Sequence, residues 1–117
     1  MEGAGEDTYL GSLIATTRVQ GFQGTNLTDS NSIAACAKHF AAYGFGIAGR
    51  EYNTFDISQR TLVESILPPF QAAANAGVAT YMSSFNEINW VPSTANAYLL
   101  NTVLRKQWGF YRMLTYY

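Results

Sequence analysis

Two groups of polar residues stand where short apolar runs stop, and they carry what chemistry the sequence offers. The first is Lys38-His39, with Tyr43 close behind, ending the apolar run over residues 33–40. An ammonium donor beside an imidazole can hydrogen-bond two hydroxyls of one sugar ring. On spacing alone the plainer reading is favoured, a solvated lysine next to a satisfied core histidine. The second group is the stretch over residues 82–89, Met-Ser-Ser-Phe-Asn-Glu-Ile-Asn. A glutamate at a strand end acts as a general acid on a glycosidic bond if a second carboxylate lies about 5–9 Å away. Glu51, Asp56 and Glu87 are candidates, but none forms an evident pair, and Glu87 reads better as a loop carboxylate making a structural or binding contact. No G-x-S-x-G elbow is present for a serine nucleophile. One histidine without regular carboxylate spacing makes no metal-ligand set, and no cofactor is expected. Gly44-Phe45-Gly46-Ile47-Ala48-Gly49 matches a dinucleotide-binding pattern in letters only, because a loop and not a helix follows it.

The elements that must position these groups alternate. A helix is expected over residues 8–20, capped by Asp7 or Thr8, with Leu10, Leu13, Ile14 and Thr17 on one face and Gly21 and Gly24 ending it. Residues 33–40 are short and apolar, as in a strand buried on both faces. A glycine-marked loop reaches Thr54, and a second helix starts near Ser58 with Leu62, Val63, Ile66 and Leu67 on one face. Pro68-Pro69 predicts a kink or restart there, and Gly77 a C-cap. Residues 78–85 form the next strand, residues 86–93 a loop. Residues 96–108 form a third helix facing the core with Leu99, Leu100, Val103 and Leu104. This order predicts a parallel sheet covered by helices, whose functional groups sit where strands end. That rule selects the same two groups. Neighbouring strand residues face opposite sides, so at least one of Lys38 and His39 faces the sheet's inner side, and a bend aims both there.

Composition narrows the classes. The 117 residues are 48% hydrophobic and 13% charged, which suits a folded domain. Seven basic and eight acidic residues are scattered without a cluster, so no nucleic-acid partner is expected. The 15% aromatic content suits sugar stacking and ordinary cores alike. Cys36 is the single cysteine and reads as a small buried hydrophobe. No apolar run of about 18 residues is present, so no membrane partner is expected. The first residues show no signal-peptide pattern. Asn26-Leu27-Thr28 is a glycosylation sequon of little weight alone.

Taken together the motifs resemble glycoside hydrolase family 3, the β-glucosidase-like branch. The resemblance runs through Glu2-Gly3-Ala4-Gly5-Glu6-Asp7-Thr8-Tyr9-Leu10 and Ala37-Lys38-His39-Phe40-Ala41-Ala42-Tyr43-Gly44. It continues through Gly49-Arg50-Glu51-Tyr52-Asn53 with Asp56, and Leu67-Pro68-Pro69-Phe70-Gln71-Ala72-Ala73. It ends with residues 82–89 and Leu104-Arg105-Lys106-Gln107-Trp108-Gly109-Phe110. Six motifs in order are far more specific than one. The resemblance implies part of a TIM (β/α)8 barrel, about two to three βα units with parallel strands, over residues 1–110, with an aberrant or truncated tail at 111–117. It implies a retaining β-glycosidase in the full-length parent, acting on a β-linked glucoside or oligosaccharide in the periplasm or outside the cell. Lys38 and His39 would bind sugar hydroxyls, with Met82 and Phe85 lining the pocket. The family's nucleophilic aspartate is expected soon after Phe110, yet no aspartate follows Asp56, and Trp90 stands where the family usually has glycine. The acid/base, the rest of the barrel and the second domain are also expected to be missing. A catalytically silent fragment is therefore expected, with a non-catalytic carbohydrate-binding or interaction module as the alternative and a Glu87-dependent barrel enzyme as a third reading.

Overall fold

The expected alternation is realised in a computed structural model that describes residues 3–116. Met1, Tyr117 and Glu2, the first residue of the Glu2–Leu10 motif, lie outside the described residues. In chain order come α1 (Thr8–Gln23), β1 (Cys36–Phe40), β2 (Thr54–Phe55), α2 (Gln59–Thr61), α3 (Leu67–Asn75), β3 (Thr80–Ser83), β4 (Glu87–Ile88), β5 (Val91–Pro92), α4 (Tyr98–Gln107) and β6 (Met113–Thr115).

Each helix starts for a local reason. The Asp7 carboxylate accepts from Leu10 N–H at 2.6 Å, satisfying one of the unpaired donors of the first turn of α1. Ser58 caps α2 in the same way through Thr61 N–H at 3.1 Å. Residues Leu62–Ile66 then wind wider, and Leu67 N–H reaches back to Leu62 O, five residues away. Pro68 and Pro69 fall in the first turn of α3, where an amide proton has no intrahelical acceptor to lose. The expected restart is therefore present. α1 differs from expectation. It runs past Gly21 to Gln23, because Gln23 is buried and hydrogen-bonded at its end, and Gly24 at φ +58 terminates it. Leu10 and Leu13 are 49% exposed, while Val19 is buried. Gly11 lets α1 approach α3 closely, since a Cβ there would sit 3.4 Å from the Pro69 ring.

β1, β3 and β6 form one parallel sheet in the order β1-β3-β6. One face is covered by helices. Tyr81, Phe40, Val78, Leu62, Ile66, Leu99, Val103 and Leu104 are buried there, and Tyr81 O–H donates to Phe70 O at 2.5 Å. Alternation puts Thr80 on the opposite face, level with its partners Cys36 and Met113. Cys36 is exposed and not the buried hydrophobe expected, and Met113 is 63% exposed. The reason is that nothing among the described residues covers this second face, whereas parallel sheets are ordinarily covered on both. A smaller sheet, β2-β4-β5, pairs β2 with β4 in parallel and β4 with β5 as a hairpin.

Candidate functional site

The ends of β1 and β3 lie side by side, and an irregularity in β1 shapes them. Ala37 pairs with Tyr81 and Phe40 pairs with Ser83, so three steps along β1 match two along β3. The surplus residue is a β-bulge. Ala37 and Phe40 both belong to the helix-covered core. Lys38 and His39 together fill the interval between them, where an ordinary strand would have one residue facing the other way. Lys38 is exposed and His39 half-buried. The bulge thus accomplishes what a simple alternation cannot, turning two neighbouring polar residues away from the core.

The chain after β1 folds back on the same spot. Ala42 at φ +70 reverses it into a short turn, Tyr43–Phe45. The His39 and Tyr43 rings lie 5.0 Å apart. Phe85, just past β3, meets the His39 ring edge-on at 5.6 Å and the Tyr43 ring at 4.8 Å. Tyr52 stacks on Phe85 at 4.2 Å with 23° between planes. Edge-to-face and offset geometries of this kind are favourable for aromatic pairs. Tyr43 O–H also donates to Glu51 Oε1 at 2.6 Å, tying the loop to itself. Of the four residues expected to bind substrate, His39 and Phe85 are therefore in ring contact, and Lys38 adjoins His39 in the bulge. Met82 is half-buried on the face of β3 opposite Tyr81, paired with Thr115.

A buried polar network holds the two strand ends together. Ser84 N–H donates to Phe40 O at 2.7 Å. The Ser84 hydroxyl hydrogen-bonds Asn86 Oδ1, and Asn86 Nδ2 reaches Ala41 O at 3.5 Å. Ser84 and Asn86 are both buried. Further out, Asn89 clamps Ile57 from both sides, accepting from its N–H at 2.8 Å and donating to its carbonyl at 2.8 Å. Glu87 lies in β4 with its amide donating to Asn53 O at 3.1 Å. Ser84 and Asn86 lie in the stretch 82–89 that the sequence singles out, and Tyr52 in a family motif, but sequence reasoning gave none of the three a role of its own. Two cavities, of about 250 Å³ beside Leu100, Arg105 and Leu114 and about 150 Å³ beside Val78, Trp108 and Phe110, lie away from this cluster.

A family model described as the glycosyl hydrolase family 3 N terminal domain matches residues 1–113. The chain belongs to glycosyl hydrolase family 3. It is 44% identical over 109 residues to the periplasmic beta-glucosidase of Salmonella typhimurium, a match covering 93% of this chain and 14% of that protein. It is 44% identical over 112 residues to a putative beta-xylosidase of Formosa agariphila, covering 93% and 15%. The crystal structure of the beta-glucosidase from Listeria innocua in complex with isofagomine superposes with a TM-score of 0.95 at 40% identity, over 99% of this chain and 17% of that one. The chain thus spans 14% to 17% of the length of these three relatives. The family 3 N-terminal domain is a TIM barrel, and this chain is part of one: β1, β3 and β6 are adjacent parallel strands, separated in sequence by helices. It is a β-glucosidase-like family 3 segment, and among the described residues no helix is long and apolar enough to cross a membrane.

Proposed function

We propose that this segment supplies the sugar-binding part of the active site of a retaining β-glycosidase acting on β-linked glucosides. Lys38 and His39 hydrogen-bond adjacent hydroxyls of the ring being cleaved, and Met82 and Phe85 form the apolar wall beneath it. The observation that carries this is the bulge in β1. It presents a cation and an imidazole side by side at the strand ends, next to the aromatic surface of Phe85, Tyr43 and Tyr52. Support also comes from relatives named beta-glucosidase and from the strand ends being where TIM barrels place their chemistry. In a retaining mechanism one carboxylate attacks the anomeric carbon and a second carboxyl group protonates the leaving oxygen. As the ring flattens toward the transition state, donors at fixed positions tighten on its hydroxyls, so Lys38 and His39 act on turnover as well as on affinity. No aspartate follows Asp56, so these 117 residues carry no nucleophile at the family position and form no glycosyl-enzyme by themselves. The relative named as a periplasmic beta-glucosidase supports a compartment outside the cytoplasm.

The test is to graft residues 1–113 into the Listeria innocua beta-glucosidase in place of the segment they superpose on. Turnover of an aryl β-glucoside by the chimera sets the reference. Lys38→Ala or His39→Ala lowers kcat/KM by roughly 10- to 150-fold, the value of a hydrogen bond to a charged group. Kinetics within about twofold of the reference would remove both residues from the site. Turnover abolished by Glu87→Gln alone would move the chemistry to Glu87.

A further inference from the structure

The β4–β5 hairpin is closed by two residues, Asn89 at φ +51 and Trp90 at φ +69. A two-residue hairpin with both central residues at positive φ favours asparagine first and glycine second, because a Cβ is disfavoured in the left-handed region. Tryptophan occupies the glycine position. Its ring recovers nothing by burial, since Trp90 is 81% exposed. The stalk beneath it is rigid: Asn89 clamps Ile57 twice, Asn89 N–H donates to Phe55 O at 2.9 Å, and Trp90 N–H donates to Thr54 Oγ1 at 3.0 Å. A conformationally disfavoured, exposed aromatic on a fixed base points to use by a ligand.

The surroundings of Trp90 indicate the ligand. Thr54 lies two residues after Tyr52, whose ring stacks on Phe85 in the candidate site and is itself 64% exposed at φ +54. Tyr52 and Thr54 are two residues apart and the Thr54 hydroxyl bonds Trp90 N–H, so the Trp90 amide lies within about 13 Å of the Tyr52 Cα. A saccharide whose first ring is held beside Phe85 and Tyr52 can reach Trp90 with its outer rings within that distance. We propose that Trp90 is an outer stacking platform for the leaving-group side of a β-linked oligoglucoside, adding affinity for chains longer than one sugar. The inference rests on the sugar-site reading above.

The experiment is an NMR titration of the 117-residue chain with glucose and with laminaritriose. Trp90→Gly is expected to weaken laminaritriose roughly three- to tenfold, the range of one aromatic stacking contact, and to leave glucose unchanged. It should also raise Tm, because glycine suits the turn. Trp90→Phe keeps laminaritriose affinity within about twofold. Unchanged laminaritriose affinity in Trp90→Gly overturns the proposal, as does an equal loss for glucose, or a fall in Tm that assigns the ring a structural role. Glucose binding that His39→Ala leaves intact overturns the site reading instead. Failure of both sugars to bind overturns both.

Discussion

Replacing Gln23 by leucine removes a polar clamp that the fold places under the start of its sheet. The buried Gln23 amide serves three backbone groups: Oε1 accepts from Ala35 N–H at 3.2 Å and Ala79 N–H at 2.8 Å, and Nε2 donates to Gly77 O at 3.0 Å. The three losses are unequal. Gly77 O keeps a second donor, Arg112 Nη1 at 2.8 Å, so its loss costs little. Ala35 is 8% exposed, and its orphaned N–H carries most of the penalty of about 1–3 kcal/mol for a buried unpaired donor. Ala79 is half-buried, so water recovers part of its bond. The sum is about 2–4 kcal/mol, or a Tm lower by roughly 8–16 °C for a chain of this size. Leucine is close to glutamine in volume, so cavity formation adds little. The assay is urea denaturation at matched protein concentration, with amide hydrogen exchange read at Ala35 and Ala79. A shift under about 1 kcal/mol with protection unchanged at both amides would refute the clamp.

Asn86→Ala unties the exit of β1 from β3 by removing the bonds to Ser84 and Ala41, costing about 2 kcal/mol in urea denaturation. It should also weaken glucose in the NMR titration although Asn86 is buried beneath the site; unchanged sugar affinity would make its role purely structural. Burial holds the Tyr81 phenol protonated well above its ordinary value of 10. The folded state therefore keeps a proton that the unfolded chain releases above that pH, so this group's contribution is complete below pH 10 and declines as pH rises past it. Tyr81→Phe loses about 1 kcal/mol at neutral pH with the Phe70 hydrogen bond, and its stability should fall less steeply above pH 10 than that of the parent.

The order of elements was legible because periodicity and punctuation agree: apolar residues at helical spacing in α4, apolar runs bounded by turn residues at β1 and β3, and Ser58, Pro68 and Gly77 at boundaries. The parallel pairing of β1 with β3 followed from that order. What was hidden depended on contacts distant in sequence. α1 crosses Gly21 because Gln23 binds Gly77 and Ala79, more than fifty residues away, and no local signal announces that. The β2-β4-β5 sheet is built from pairs too short to show alternation. Met113–Thr115 pairs with β3 although its sequence carries no strong strand pattern. In the candidate site, Lys38 and His39 stood out at the end of an apolar run, but they and Phe85 were assigned to sugar binding only through the family motifs. Tyr52 was not, since its stacking on Phe85 depends on how a long loop closes.

The bulge in β1 also has a consequence for protein engineering. Side chains along a strand obey a two-letter code, in or out, and one inserted residue shifts every later letter. Moving the Lys-His pair onto a regular strand of another barrel would give one donor to the lumen and the other to the helices. A one-residue deletion between Ala37 and Phe40 would restore strict alternation here and keep Phe40 in the core, but would leave one polar residue facing the other way where there are now two. Insertion length at this point is therefore a design variable in its own right, separate from residue identity, and a sequence library that varies only side chains would never sample it.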